Sequence, residues 1–262
     1  MSTPILNVTG LSMDFGGIRA LNQLDLNVKA GEIVALIGPN GAGKTTFFNC
    51  ITGIYSPTAG DIHLNPPNGK SVRLNGLKPN QVTEQGMART FQNIRLFQKM
   101  TVLENVMIGR HCRTRSHIVG AIFRTKKTRL EEQDTVEQSY HLLEKVGLAD
   151  HADEFAANLS YGAQRRLEIG RALATEPFLL LLDEPAAGMN PLETQALDQL
   201  INRIQSEGQS ILLIEHDMKL VMSLSHRIFV MDYGSKIAEG TPEEVGRNPD
   251  VIKAYLGDDA NA

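Results

Sequence analysis

The chain has 262 residues, of which 42% are hydrophobic and 21% are charged, and its formal net charge is −4. This size suits one α/β domain or a core with a subdomain, and the weak acidic charge excludes the basic bias typical of nucleic-acid binding, so we expect no nucleic-acid partner. Cys50 and Cys112 lack metal or disulfide spacing and no apolar run is long enough to span a membrane, so we expect a reducing compartment and membrane contact only through a partner.

The N-terminal part of the chain is predicted to form antiparallel β-structure. Leu24, Leu26 and Val28 alternate with polar residues, which is the pattern of a half-buried strand. Two further alternating segments, 62–64 and 72–74, flank a turn-forming segment at 65–70 and predict a hairpin.

A glycine-rich loop follows the apolar run Ile33–Ile37 and is the most informative motif of the chain. Its residues are Gly38, Pro39, Asn40, Gly41, Ala42, Gly43, Lys44, Thr45 and Thr46. The glycines let backbone N–H groups turn toward an anion, and the helix predicted from Lys44 points its positive end at the same place. Lys44 would reach the β- and γ-phosphates of a nucleotide such as ATP, and the Thr45 hydroxyl would ligate Mg²⁺.

Residues 95–170 are predicted to be mostly helical. Thr101 is predicted to cap a helix, and Glu104 three residues later completes a capping box. Gln92, just before this region, would contact the metal or the attacking water through its amide, and a surface glutamine fits its spacing equally well.

Two further apolar runs end next to residues with catalytic chemistry. The run 178–182 leads into Asp183 and Glu184, and the run Ser210–Ile214 leads to His216. Such runs suit a parallel sheet covered on both faces, whose strands present ligands at their carboxyl ends. Asp183 would hold Mg²⁺ through water, Glu184 would be the general base for the attacking water, and His216 would contact the γ-phosphate. The alternatives are an ordinary acidic loop and a histidine bonded to backbone.

The end of the chain is predicted to hold a hairpin and a helix. The hairpin turns at 232–235, and the helix covers about 241–256, with Thr241 and Glu244 forming a capping box. The fold class is therefore α/β: one domain over residues 1–262, with a parallel-sheet core, an antiparallel β subdomain and a helical subdomain inserted at about 95–170.

In this order, the motifs resemble those of the ATP-binding-cassette (ABC) ATPases, a group of P-loop NTPases, over nearly the whole chain. The helix-start motif of that family, usually Leu-Ser-Gly-Gly-Gln, matches residues 159–163, where Tyr161 replaces the first glycine. The resemblance implies that Ser160 and Gly162 bind phosphate and that Phe15 stacks on adenine. It also implies that Gln92 is the coupling glutamine and His216 the switch histidine.

A second departure lies after Glu184, where Asn190 stands in place of the aspartate of many relatives. Asn190 is predicted to cap the next helix, with Pro191 at its first position and Glu193 at its third. A structural capping role and a contact with a second subunit are compatible here.

The family resemblance further implies a site shared between two subunits. ATP would lie between the glycine loop of one subunit and residues 160–162 of the other, so ATP binding closes the dimer and hydrolysis opens it. The partner would be a sister ATPase in a heterodimer, or a second copy in a homodimer. We expect the isolated chain to bind ATP but to hydrolyse it poorly.

A closer resemblance is to the LivG-type ATPases of branched-chain amino-acid importers. It is carried by segments 15–21, 89–97, 103–106, 161–168, 185–191 and 248–256, and by the long insert after Asn105. It implies transmembrane permease subunits as partners, a substrate-binding protein indirectly, and a peripheral location on the cytoplasmic face of the inner membrane. The alternatives are a lipopolysaccharide-export ATPase, a soluble ABC ATPase and a P-loop kinase. A single cassette without heptads disfavours the soluble class, and the helix-start motif disfavours the kinase.

The insert also carries a run of positive charge without Asp or Glu. Its members are Arg110, Arg113, Arg115, Arg124, Lys126, Lys127 and Arg129. We hypothesise that this run faces anionic lipid or membrane subunits, and the alternative is a solvated loop.

Overall fold

The computed structural model describes residues 3–67, 69–113 and 126–256. The strands are β1 (Leu6–Phe15), β2 (Ile18–Val28), β3 (Ile33–Ile37), β4 (Ala59–Leu64), β5 (Val72–Arg73), β6 (Met87–Arg89), β7 (Leu179–Asp183), β8 (Ser210–Ile214), β9 (Arg227–Asp232) and β10 (Ser235–Gly240). The helices are α1 (Lys44–Ile51), α2 (Pro79–Glu84), α3 (Val102–Arg110), α4 (Lys126–Lys145), α5 (Tyr161–Leu173), α6 (Pro191–Ser206), α7 (Met218–Leu224), α8 (Pro242–Gly246) and α9 (Pro249–Leu256).

Two sheets form among the described residues. The larger has the order β10-β9-β3-β8-β7-β6, and its members run parallel except for β10, which pairs antiparallel with β9. The smaller has the order β2-β1-β4-β5 and is antiparallel. The predicted parallel core, the antiparallel part and both hairpins are therefore confirmed. Because β3, β7 and β8 are parallel, their carboxyl ends lie at one edge of the sheet.

The strands β3, β7 and β8 of the larger sheet are buried on both faces, which explains their continuous apolar runs. In β7, Leu180 and Leu182 belong to the hydrophobic cluster under α3, α5, α6 and α7, whereas Leu179 and Leu181 belong to the opposite cluster with α1 and the smaller sheet. Successive side chains of a strand point to opposite faces, so both faces demand apolar residues. The site at the strand ends thus rests on a rigid sheet.

The helical part between β6 and β7 is anchored by a buried polar residue that the sequence did not reveal. Asn105 in α3 is fully buried. Its side-chain oxygen accepts the N–H of Phe97 at 2.9 Å, and its NH₂ group donates to the carbonyl of Thr101 at 2.9 Å. The predicted capping box of Thr101 and Glu104 is confirmed at the start of the same helix. These bonds fix the loop that leads from Gln92 into α3.

The basic run does not behave as one exposed surface. Arg110 is 11% exposed in its side chain and pairs with Glu176 at 2.9 Å, and Arg113 donates to the carbonyl of Thr175 at 2.6 Å. For Arg110 the hypothesis of a membrane-facing charge is wrong, because its guanidinium is buried against the chain itself. For Arg113, which is partly buried, it stays a prediction. Arg115 and Arg124 lie outside the described residues, as do the side chains of Lys126, Lys127 and Arg129.

The single C-terminal helix predicted at about 241–256 is divided into α8 and α9. Pro249 begins α9, and the residue before a proline avoids helical backbone angles. The Asn248 side chain accepts the N–H of Asp250 at 2.9 Å and starts the new helix. The capping box of Thr241 and Glu244 is confirmed at α8. Among the described helices, none combines the length and apolarity needed to cross a membrane.

Candidate functional site

The glycine loop passes so close to other backbone that two of its glycines are required for packing. A Cβ atom on Gly38 would lie 2.1 Å from the carbonyl oxygen of Met231 in β9, and one on Gly43 would lie 2.7 Å from that of Ala20 in β2. Both residues have positive φ, at 153° and 100°, which side chains disfavour. The loop is therefore clamped between β9 and β2 and keeps a fixed shape at the end of β3.

Lys44 and the start of α1 make this loop suitable for an anion. The Lys44 ammonium donates to the carbonyls of Gly38 at 2.7 Å and Pro39 at 3.0 Å, so it lies inside the loop. Burial lowers the pKa of Lys44, and the nearby carboxylate of Glu184 acts in the opposite direction. No side chain of the described residues caps the first turn of α1. Its N–H groups are thus free for phosphate, as the sequence predicted.

Glu184, His216 and Gln92 meet at the carboxyl ends of the strands. The Glu184 carboxylate lies 2.9 Å from Nε2 of His216 and accepts a hydrogen bond of 2.7 Å from the Gln92 amide. Its side chain is 17% exposed, and its φ of 48° is unusual for a residue with a Cβ. The two contacts thus engage both carboxylate oxygens, and the side chain keeps some exposure to solvent. Such a group can accept a proton from a water molecule.

Asp183 is bound by an arginine that sequence reasoning missed. Arg89 donates to Asp183 at 2.6 Å and to Asn49 of α1 at 2.8 Å, and it ties β6, β7 and α1 together. Both side chains of the ion pair are 7% exposed. The sequence signal, an arginine two residues before the Phe-Gln pair, carries no information about a partner 94 residues away.

The oxygen donors at this edge fit Mg²⁺ in type. Asp183 supplies a carboxylate, Thr45 an exposed hydroxyl at the start of α1, and Gln92 an amide. Within the described ranges, no group of three or more His, Cys, Asp and Glu residues could hold a metal alone. Mg²⁺ needs few protein ligands, because phosphates and water complete its shell, so this sparse set is compatible with a nucleotide-bound ion.

The helix-start residues form a second cluster, and they are bound in cis. The Ser160 hydroxyl caps α5 by accepting the N–H of Ala163 at 3.3 Å. The Gly162 N–H donates to the Glu193 carboxylate at 3.3 Å, and a Cβ atom on Gly162 would lie 2.6 Å from that carboxylate. In the part of the chain that is described, no hydrogen bond joins these residues to the glycine loop. The glycine loop and the helix-start residues line two different cavities, one beside Pro39 and Gly41 and the other beside Ser160 and Gly162.

Tyr161 connects the helix start to the loop that carries Gln92. Its hydroxyl accepts a bond of 3.2 Å from Arg165, which is fully buried. The Arg165 guanidinium also donates to the backbone carbonyls of Phe91 at 2.6 Å and Gln92 at 2.7 Å. The tyrosine in place of glycine thus fills a structural position beside this guanidinium. Arg165 escaped the sequence analysis because its burial depends on a partner loop 73 residues away.

Phe15 is an exposed ring beside Tyr55, and Asn190 caps a helix as predicted. Phe15 is the last residue of β1, is 43% exposed and packs edge-on against Tyr55 with ring centroids 5.3 Å apart. An exposed ring held from one side can stack on a flat ligand. Asn190 caps α6 by accepting the N–H groups of Leu192 and Glu193 at 3.0 Å each.

The chain matches two family profiles. Residues 21–187 match the family described as "ABC transporter". Residues 235–261 match the family described as "Branched-chain amino acid ATP-binding cassette transporter". The first match covers more than half of the chain and includes the glycine loop, Asp183 and Glu184.

Similar proteins and structures agree with these matches. The high-affinity branched-chain amino acid transport ATP-binding protein LivG of Salmonella typhimurium is 49% identical over 98% of this chain and 100% of its own length. BraF of Pseudomonas aeruginosa, described with the same function, is likewise 49% identical, with the same coverage. A crystal structure of the ADP conformation of an ATP-binding cassette of an ABC transporter has a TM-score of 0.82 and 30% identity, covering 98% of this chain and 100% of that one. The chain therefore belongs to the ABC transporter family.

Proposed function

We propose that this chain is the ATP-binding and ATP-hydrolysing subunit of an ABC importer for branched-chain amino acids. The observation that carries the proposal is the Glu184 carboxylate, held by His216 at 2.9 Å and Gln92 at 2.7 Å beside the loop of Lys44. The relatives at 49% identity, described as branched-chain amino acid transport ATP-binding proteins, support the substrate class. The match of residues 235–261 to a branched-chain amino acid family supports it independently.

Hydrolysis needs a base, a phosphate clamp and a way to orient the attacking water. Glu184 accepts the proton of the water, and the two donors on its carboxylate keep it in one orientation. With Glu184 ionised, Nε2 of His216 carries the proton that it shares with the carboxylate. Lys44 and the N–H groups at the start of α1 bind the phosphates, and Phe15 stacks on the base.

Thr45, Asp183 and Gln92 are the residues that would hold Mg²⁺ with the nucleotide. When bound, Mg²⁺ neutralises charge that develops on the phosphate oxygens. Arg89 keeps the Asp183 side chain at the strand edge through its 2.6 Å ion pair. The same arginine reaches α1, so it fixes the position of the carboxylate relative to the helix that begins at the phosphate loop.

The separation of the two phosphate clusters supports a shared site between subunits. Ser160 and Gly162 begin α5 but lack a bond to the glycine loop of their own chain among the described residues. We propose that they complete the site of a second ABC ATPase subunit, either a sister protein or a second copy. Closure of this dimer at the cytoplasmic face of the inner membrane would drive transmembrane permease subunits, and a substrate-binding protein would deliver the amino acid.

A single substitution at Glu184 tests the catalytic part of the proposal. Glu184→Gln keeps the shape and one acceptor oxygen of the side chain but removes the base, so hydrolysis should fall by at least ~100-fold. ATP affinity, measured by calorimetry, should stay within about 3-fold, because the phosphate clamp is intact. Phosphate release close to the wild-type rate would exclude Glu184 as the base.

Reconstitution tests the transport part. The chain is placed in liposomes with its permease subunits, the second ATPase and the binding protein, and uptake of radiolabelled leucine is followed with ATP inside. We expect ATP-dependent uptake that the Glu184→Gln chain does not support. ATPase stimulation by lipopolysaccharide in place of the binding protein and leucine would favour the export alternative, and stimulation by DNA or ribosomes would favour a soluble ABC ATPase.

A further inference from the structure

Glu215 is a buried carboxylate to which the proposed mechanism assigns no task. It is 3% exposed and lies between β8 and His216. One carboxylate oxygen accepts the N–H of Ala186 at 2.7 Å, and the other accepts the N–H groups of His216 at 3.0 Å and Asp217 at 3.4 Å. Among the described residues, every hydrogen-bond partner of this carboxylate is therefore a backbone N–H group.

No cation compensates this carboxylate within the described part of the chain. The ion pairs there do not include Glu215, and the neighbouring charge that acts on its pKa is the like charge of Glu184. Burial raises the pKa of Glu215, and the three N–H donors act in the opposite direction. An unpaired charge is costly to bury, so an apolar residue would fill this place at lower cost if packing were its only purpose.

The two backbone segments that Glu215 joins are those that carry the Glu184–His216 pair. Ala186 follows Glu184 by two residues, and His216 directly follows Glu215. The only other backbone bond between these segments in the described structure runs from the N–H of Glu184 to the carbonyl of Ile214 at 2.9 Å. Beyond that bond the segments after β7 and β8 both leave the sheet, and Glu184 has the unusual φ of 48°. The carboxylate of Glu215 thus links the two loops by hydrogen bonds beyond the backbone bond of Glu184 to Ile214.

We propose that Glu215 is a positioning residue that keeps Glu184 and His216 in register for hydrolysis by bridging the backbone on both sides of the pair. This inference rests on the proposed role of Glu184 as base. The bridge needs two acceptor oxygens facing opposite segments, which only a carboxylate provides. Displacing a catalytic group by about 1 Å can cost a factor of 100 in rate, so a bridge of this kind has a measurable consequence.

Glu215→Gln is the discriminating variant, because it keeps the volume and removes one of the two acceptors. The amide oxygen can accept from one segment, while the NH₂ group then faces the N–H donor of the other. We expect kcat for ATP hydrolysis to fall about 10- to 100-fold, with KM and the calorimetric ATP affinity within about 2-fold. In a Glu184→Gln background the same substitution should add less than about 2-fold, because its effect passes through the pair.

Hydrogen exchange measures the bridge without relying on turnover. In Glu215→Gln the amides of Ala186 or of His216 and Asp217 should exchange faster, whereas those of α6 from Leu197 onward should not change. Ile204→Ala, a buried substitution in α6 away from the site, serves as the control for general destabilisation and should keep kcat within about 2-fold.

The outcomes separate the inference from the proposed function. Loss of hydrolysis in Glu184→Gln together with wild-type kcat in Glu215→Gln would overturn the inference alone. Wild-type hydrolysis in Glu184→Gln would overturn the base assignment itself. Unchanged exchange at Ala186, His216 and Asp217, or an equal loss of kcat in Ile204→Ala, would show that Glu215 does not position the pair.

Discussion

Replacing the buried Arg165 by methionine should destabilise the protein strongly. Arg165 is fully buried, and its partner Glu168, at 2.9 Å, is 1% exposed. Methionine fills a similar volume but leaves the Glu168 carboxylate without its ion-pair partner, so that Arg171 is the positive charge that still acts on its pKa. It also leaves the carbonyls of Phe91 and Gln92 without this donor. Removing one member of a buried ion pair costs about 3–5 kcal/mol of the free energy of unfolding. For a chain of this length that corresponds to a melting temperature lower by about 6–20 °C.

The stability lost in Arg165→Met should increase as pH rises. Burial raises the pKa of Glu168 from its ordinary value of 4.5, while Arg165 and the N–H of Arg95 lower it. Without Arg165 the pKa of Glu168 in the folded state rises further. Between pH 4.5 and this raised pKa, Glu168 is protonated in the folded state but ionised in the unfolded state. The free energy of unfolding of the variant therefore falls as pH rises through this range. The difference from the wild type should be larger at pH 7.5 than at pH 5.

Calorimetric melting at both pH values tests this reasoning, with a neighbouring arginine as control. Arg166→Met removes bonds from the guanidinium to the carbonyls of Val146 at 3.0 Å and Gly147 at 3.1 Å but breaks no buried ion pair. It should lower the melting temperature by less than half as much as Arg165→Met. A melting temperature of Arg165→Met within about 2 °C of the wild type would refute the assigned role of the ion pair.

The remaining predictions concern the phosphate loop, the base and a helix cap. Lys44→Ala should raise the calorimetric Kd for ATP by at least about 10-fold, because a charged donor to phosphate is lost, and an unchanged Kd would contradict the clamp. Glu184→Gln should keep that Kd while slowing phosphate release by at least ~100-fold. Asn190→Ala should lower the free energy of unfolding in urea by about 1 kcal/mol, because two N–H groups at the start of α6 lose their acceptor. An Asn190→Ser control should recover most of this loss.

The parts of the fold that depend on interactions between residues close in sequence were predictable from the sequence. The runs that became β3, β7 and β8 are apolar on both faces, and a strand buried on both sides requires that composition. The helix starts at Thr101, Asn190 and Thr241 carry their own capping side chains, so a few neighbouring residues specify them. The break between α8 and α9 had a signal as well, the proline at position 249, which the prediction of a single helix ignored.

The candidate site could be predicted only in part. Parallel strand order brings Glu184 and His216 to one edge, and their meeting at 2.9 Å agrees with the prediction from two strand ends. The bridge of Glu215 could have been suspected, because a second carboxylate beside a strand end has few ways to be buried. The prediction for Arg110 was wrong, because a run of positive charge in sequence gives no information about a carboxylate partner elsewhere in the chain.

By itself, the sequence determined the elements and the residue types at their ends: a glycine loop after a buried strand, two carboxylates after another, and helices that begin at capping residues. These features arise from interactions within a few residues, which periodicity and residue type report directly. Only the tertiary structure decided which buried charges meet, such as Arg89 with Asp183 across 94 residues and Arg165 with the loop of Gln92 across 73. The physical reason is that a charged group is buried only where the fold supplies its partner, and that partner is set by sheet order and helix packing.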